Sequence, residues 1–170
     1  AFDAAAAAVT VGSFSLGFAP GTTLFIPAPV DFRFPVKEVE GSGIYRAGQL
    51  TVQQLDVDLD GLRARVAAEI ADVLGTPSGK LTVTANDVHV NDFRRYWPPS
   101  MAPGGWKWCT THLHDGIVPR ATATIDFGSK DGKVTVTGLD ARLDAQKLRV
   151  DYLPPMPAVR NVAGRVTADL

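Results

Sequence analysis

Apolar and polar residues alternate along most of this chain with the two-residue period of a half-buried β-strand. Leu50 and Val52 share one side, and Leu55, Val57 and Leu59 continue the rhythm after a parity slip at Gln53-Gln54, as a β-bulge would produce. Leu62, Ala64 and Val66 alternate with Arg63 and Arg65, while Leu81, Val83 and Ala85 alternate with threonines. Ala121, Ala123, Ile125 and Phe127 form another series, followed by Val134 and Val136. A second slip separates Leu143 and Ala145 from Leu148, Val150 and Tyr152. Turn signals stand where hairpins need them, at Arg46-Ala47-Gly48, Asp60-Gly61, Pro77-Ser78-Gly79 and Asp131-Gly132. Leu62 to Leu74 also fits a helical stripe with Gly75 as its stop, but the Arg63/Arg65 alternation favours a strand. The pattern predicts a mainly β fold: a curved antiparallel meander sheet, built as an open β-groove or as a β-sandwich.

The rhythm breaks once, from Tyr96 to Trp108, a stretch that holds all three tryptophans together with Pro98, Pro99 and Pro103. Proline is excluded from central strands, and tryptophan brings a large apolar surface with an N–H that needs a partner. The segment therefore reads as a plug on the sheet, with short helices at about 91–115. Asn91 is a plausible helix cap, and Pro103 to His114 a second helical stretch. Trp97, together with Trp106 or Trp108, is expected to be buried over one end or edge of the sheet.

Two motifs resemble the AsmA-like proteins of Gram-negative envelopes, in particular their YhdP-like branch. The first is Trp97-Pro98, Ala102-Pro103, Trp106 or Trp108, then Leu113-His114-Asp115-Gly116 leading back into alternation; Lys107-Trp108 stands where the family carries Arg-Trp. The second is Tyr152-Leu153-Pro154-Pro155-Met156-Pro157 followed by Val159-Arg160-Asn161-Val162-Ala163-Gly164. Val36 to Gly41 repeats the V-x-x-V-x-G pattern of Val159 to Gly164, at an offset of 123 (159 minus 36). These features suggest a β-rich module over 1–153 and the start of a following repeat unit over 154–170, excised from a longer chain.

Composition excludes more than it assigns. Seventeen basic residues balance eighteen acidic ones, so no strong field recruits nucleic acid or acidic lipid. No apolar run reaches the ~18–20 residues of a membrane-spanning helix. Ala4 to Ala8 lacks the preceding basic residues of a signal peptide. The single Cys109 forms no internal disulfide. Cys109, His112, His114 and Asp115 cluster in sequence, but no second Cys/His pair stands at zinc-site spacing, so no metal or cofactor is expected. Asp56, Asp58 and Asp60 read as a solvated strand face and not as a calcium loop. No nucleophile elbow or phosphate-cradling loop appears, and a non-enzymatic role is expected.

The resemblance implies an open groove whose inner face holds phospholipid acyl chains, in a periplasmic protein moving lipid between inner and outer membranes. The parent chain would be anchored in the inner membrane, and membrane contact would come from regions outside this segment. Candidate groove residues are Leu50, Val52, Leu55, Val57, Leu59, Leu81, Val83, Ile125 and Phe127, with Trp97, Trp106 and Trp108 as the structural plug. Small residues at Ala64, Ala85, Ala121, Ala123 and Ala145 would leave room along that face. The alternative is a closed β-sandwich binding or structural module that acts through protein contacts.

Overall fold

The computed structural model describes residues 8–27, 30–153 and 155–169; Ala4–Ala7 and Pro154 of the segments above lie outside them. Strand accounts for 65% of the described residues and helix for 11%, so the period-two reading governs the architecture. The strands are β1 (Ala8–Gly17), β2 (Thr23–Ile26), β3 (Phe32–Pro35), β4 (Glu38–Arg46), β5 (Gln49–Asp58) and β6 (Arg63–Ala71). They continue as β7 (Ser78–His89), β8 (Leu113–His114), β9 (Ile117–Lys130), β10 (Lys133–Val150) and β11 (Val159–Asp169). The two α-helices are α1 (Phe93–Tyr96) and α2 (Pro103–His112), preceded by a 3-10 turn at Val90–Asp92.

Nine strands form one antiparallel sheet in the order β1-β4-β5-β6-β7-β9-β10-β11, with β8 adding to β10. The sheet is not closed. The remaining two strands, β2 and β3, make a separate ribbon. Among the described residues the only other sheet is this small ribbon, whose Phe34 packs on the core, so the open form of the meander is what the chain builds. Within Leu62 to Leu74 the chain forms strand β6 from Arg63 and then the turn after it, as the arginine alternation requires. The Val159–Gly164 stretch, placed by the sequence in a following unit, continues the same sheet as β11, pairing with β10.

Three hairpins turn on two residues of positive φ each: Ala47-Gly48, Asp60-Gly61 and Asp131-Gly132. That conformation matches the right-handed twist of the flanking strands. The fourth turn differs from expectation. Ser78 pairs with Ala71 and Gly79 with Ile70, so Pro77-Ser78-Gly79 opens the strand and the turn lies upstream. Asp72, at φ 50, makes it: its carboxylate accepts from the Thr76 N–H at 2.7 Å and the Thr76 hydroxyl at 2.9 Å. An Asx-type turn of this kind supplies locally the bonds a loop otherwise lacks. Both parity slips are bulges, between Val52 and Leu55 against β6 and between Ala145 and Leu148 against β11.

The plug falls between β7 and β9, where the alternation stops. Asn91 does not cap a helix; its Oδ1 accepts the Asp115 N–H at 3.1 Å and ties the two ends of the insertion together. Val90, Phe93, Cys109 and Leu113, at 3%, 6%, 7% and 9% exposure, are the plug's deepest contributions to the core. They meet Val57, Leu59, Leu62, Ala64, Val88, Val118, Ala145 and Leu148 from the sheet side in one cluster. Trp97 and Trp106 are half-buried, and Trp108, at 47% exposure, is not part of the buried plug.

Candidate functional site

Residues directly opposite one another in neighbouring strands project from the same face. The register therefore defines rows across the sheet. One row runs Leu50, Ile70, Gly79, Phe127, and the next Val52, Ala68, Leu81, Ile125. The third runs Leu55, Val66, Val83, Ala123, and the fourth Val57, Ala64, Ala85, Ala121. Leu139, Ala141 and Leu143 of β10 extend the last three rows on one side, and Gly43, Gly41 and Val39 of β4 extend them on the other. Every groove candidate read from the sequence lies on this one apolar face, because Leu59 follows Val57 by two residues. Seven gaps of about 4.8 Å make the eight strands of the main path roughly 34 Å wide.

The face is divided along its strands. The Val57 row and Leu59 lie beneath the plug, with Val57, Leu59 and Ala64 buried at 9%, 8% and 8%. Leu50, Val52, Leu81, Ile125 and Phe127 are half-buried and lie outside the core cluster that the plug closes. The alanines divide the same way. Ala64, Ala85, Ala121 and Ala145 belong to or pack against the plug core, so their small side chains make room for the plug. Ala68, at 6% exposure, lies in the Val52 row, while Ala123 and Ala141 lie in the Leu55 row, whose Leu55 and Val83 pack against the core.

Gly41 shows why β4 is glycine-rich. A Cβ there would stand 2.8 Å from Leu55 Cδ1, 2.9 Å from the Gln54 carbonyl oxygen and 3.2 Å from Phe14 Cε1. The glycine lets Phe14 and Leu55 occupy the apolar face from either side. Ala68, Phe93 and Gly41 were not among the sequence candidates. Ala68 and Gly41 carried a signal, since each keeps the two-residue rhythm of its strand; Phe93 lies where that rhythm has stopped.

The opposite face is ionic. Glu38 stands across from Asp58 and Glu40 across from Asp56, like charges that would repel if left alone. Arg63 and Arg65 of β6 answer them: Arg65 Nε donates to Asp56 at 2.7 Å and Arg63 lies 3.7 Å from Asp58. The Arg65 guanidinium, and then the Gln54 amide that also bonds Asp56, hold the Asp56 carboxyl below its ordinary range. Asp60 pairs with Arg95 of the plug at 2.6 Å, and Lys80–Asp126 and Arg165–Asp144 continue the pattern. Open depressions of about 730 and 550 Å³ lie on this polar side, the larger bordered by Glu40, Asp56, Arg65 and Arg120.

The histidines are engaged in fastening the plug. His112 Nδ1 lies 2.6 Å from the Asp151 carbonyl, and the Asp151 N–H donates to the His112 carbonyl at 2.9 Å. His114 Nε2 lies 3.2 Å from the Asp151 carboxylate. Burial pushes the Cys109 thiol upward, away from the thiolate that nucleophilic or metal-binding chemistry uses. Among the described residues no grouping of three or more His, Cys, Asp or Glu side chains is arranged to hold a metal ion.

Comparison with protein-family models, with curated proteins and with solved structures returned no match to this chain.

Proposed function

We propose that this chain is a lipid-conducting β-groove segment of the kind its Trp/Pro motifs resemble, the AsmA-like, YhdP-like envelope proteins. Its ligands are phospholipid acyl chains, and its work is non-catalytic transfer between inner and outer membranes in the periplasm. The observation that supports this most is the set of rows around Val52, Ala68, Leu81 and Ile125, an apolar surface continuous across the strands and outside the core cluster that the plug closes. An apolar surface of this extent outside the core of a protein marks a ligand or partner site. Each methylene moved from water onto such a surface contributes about 0.8 kcal/mol, so an acyl chain laid along the rows recovers much of the cost of leaving a bilayer. The plug closes the Val57 end, and the rows outside its cluster are the part that binds. The ionic face, with its cross-strand Arg–Asp pairs, stays in water.

Native mass spectrometry of gently purified protein tests this. Co-purifying phospholipid is expected with the wild type, and much less with Leu81→Asp. Protein that is free of lipid under every condition, yet folded and captured by a protein partner through the same rows, would favour the binding-module reading.

A further inference from the structure

We infer that the β2–β3 ribbon is a membrane-contact element that seats in the interfacial region of a phospholipid bilayer. The ribbon stands apart from the main sheet and pairs only within itself, Leu24 with Phe34 and Ile26 with Phe32 on one face, Phe25 with Arg33 on the other. A two-stranded hairpin is marginal in water unless something packs against it. Here only the β3 side is held: Phe34 packs on the core, and Ser100 Oγ of the plug donates to the Val30 carbonyl at 2.6 Å. All of β2 is exposed, with Leu24 at 47%, Phe25 at 45% and Ile26 at 37%.

Those three side chains alternate between the ribbon's two faces. A protein groove docks against one face of a strand, whereas an apolar tip exposed on both faces is satisfied by a medium that surrounds it. The interfacial layer of a bilayer is such a medium. The charges agree. The Arg33 guanidinium lies 4.7 Å over the Phe25 ring, a cation on an apolar stem suited to a lipid phosphate, and it makes no ion pair among the described residues. Exposed Asp31 sits at the adjoining turn and suits the quaternary ammonium of a zwitterionic headgroup. With one charge of each sign, the ribbon needs no anionic lipid.

The test uses Phe25→Cys carrying an environment-sensitive fluorophore, in a Cys109→Ala background, with Thr51→Cys on the ionic face labelled identically. Phosphatidylcholine vesicles are expected to shift the emission at position 25 to the blue and leave position 51 unchanged. In unlabelled protein, Leu24→Ser with Ile26→Ser is expected to lower co-sedimentation with the same vesicles severalfold at unchanged circular dichroism. No shift at position 25 in a large excess of lipid would overturn the inference. So would a shift confined to phosphatidylglycerol vesicles, which would assign the contact to surface charge, or one that appears without vesicles as protein concentration rises. Vesicle contact by the ribbon and lipid retention by the sheet face are read on different residues, so either fails without the other.

Discussion

Trp106 donates its indole N–H to the backbone carbonyl of Trp97 at 3.0 Å, while Trp97 donates its own to the Met101 carbonyl at 2.7 Å. The two indoles thus close the irregular Pro98–Ala102 loop, where backbone carbonyls have no ladder partners. Trp97 also meets Phe93 edge to face at a centroid separation of 5.8 Å. The tryptophans fasten the plug, and Phe93 roots it in the core.

Substitutions in the plug are therefore expected to rank by depth. Phe93→Ala is expected to cost about 3–5 kcal/mol, as for a buried aromatic. Trp106→Phe keeps most of the ring and loses one hydrogen bond, a cost of about 0.5–1.5 kcal/mol. Trp108→Ala is expected to stay within about 0.5 kcal/mol, as for an exposed side chain. Urea unfolding curves of the three variants check the order.

Gly41→Val is expected to destabilise the chain by about 1–3 kcal/mol, since overpacking forces neighbours off their rotamers. Part of that loss should return in Gly41→Val with Leu55→Ala, because Leu55 Cδ1 is the nearest side-chain obstacle. Thermal midpoints of the single and double variants measure the recovery.

Acid should loosen the ionic face and the β6–β7 turn first. Bonds from the Thr76 N–H and hydroxyl hold the Asp72 carboxyl below its ordinary value of 3.8, and the Arg165 guanidinium does the same to Asp144. Carboxyls lowered in the folded state stabilise it above pH 3.8 and lose that contribution as pH falls through 3.8 toward the lower folded values. Asp72→Ala is expected to flatten the stability profile below about pH 4 and leave its shape near neutrality unchanged. Chemical unfolding at a series of pH values checks this.

Cys109 is expected to resist a thiol reagent at pH 8 in the folded protein and to react fully in denaturant, since burial, leaving only 7% of the residue exposed, both shields the thiol and raises its pKa. Fast modification without denaturant would show that α2 lifts from the sheet. Cys109→Ala should be tolerated better than Cys109→Ser, which places a hydroxyl in an apolar cluster.

Much of this was legible in the residues. The slips at Gln53-Gln54 and after Ala145, the Asp-Gly turns and the strand at Leu62 follow from local pattern, because a sheet with one dry face imposes its period on every strand. The helices were found where Trp and Pro interrupt that period. What escaped were features set by partners distant in sequence. Cys109 and Phe93 are buried because Val57, Ala64 and Leu148 come to face them, which no window around residue 93 or 109 contains. The alanines at 64, 85, 121 and 145 looked like space for a ligand, and only the position of the plug shows what fills that space. The β6–β7 turn moved upstream because the Asp72 carboxylate offers the backbone a better set of bonds than the Pro-Ser-Gly that follows.

The proposed lipid-holding rows are tested most directly by a photo-crosslinking amino acid placed in turn at Val52, Leu81 and Ile125, at Val57 beneath the plug, and at Thr82 on the opposite face, in cells that supply native lipid. Phospholipid adducts are expected at 52, 81 and 125 and absent at 57 and 82. Adducts at position 82 as abundant as at position 81, or none at 52, 81 and 125 in folded protein, would contradict a lipid-holding face.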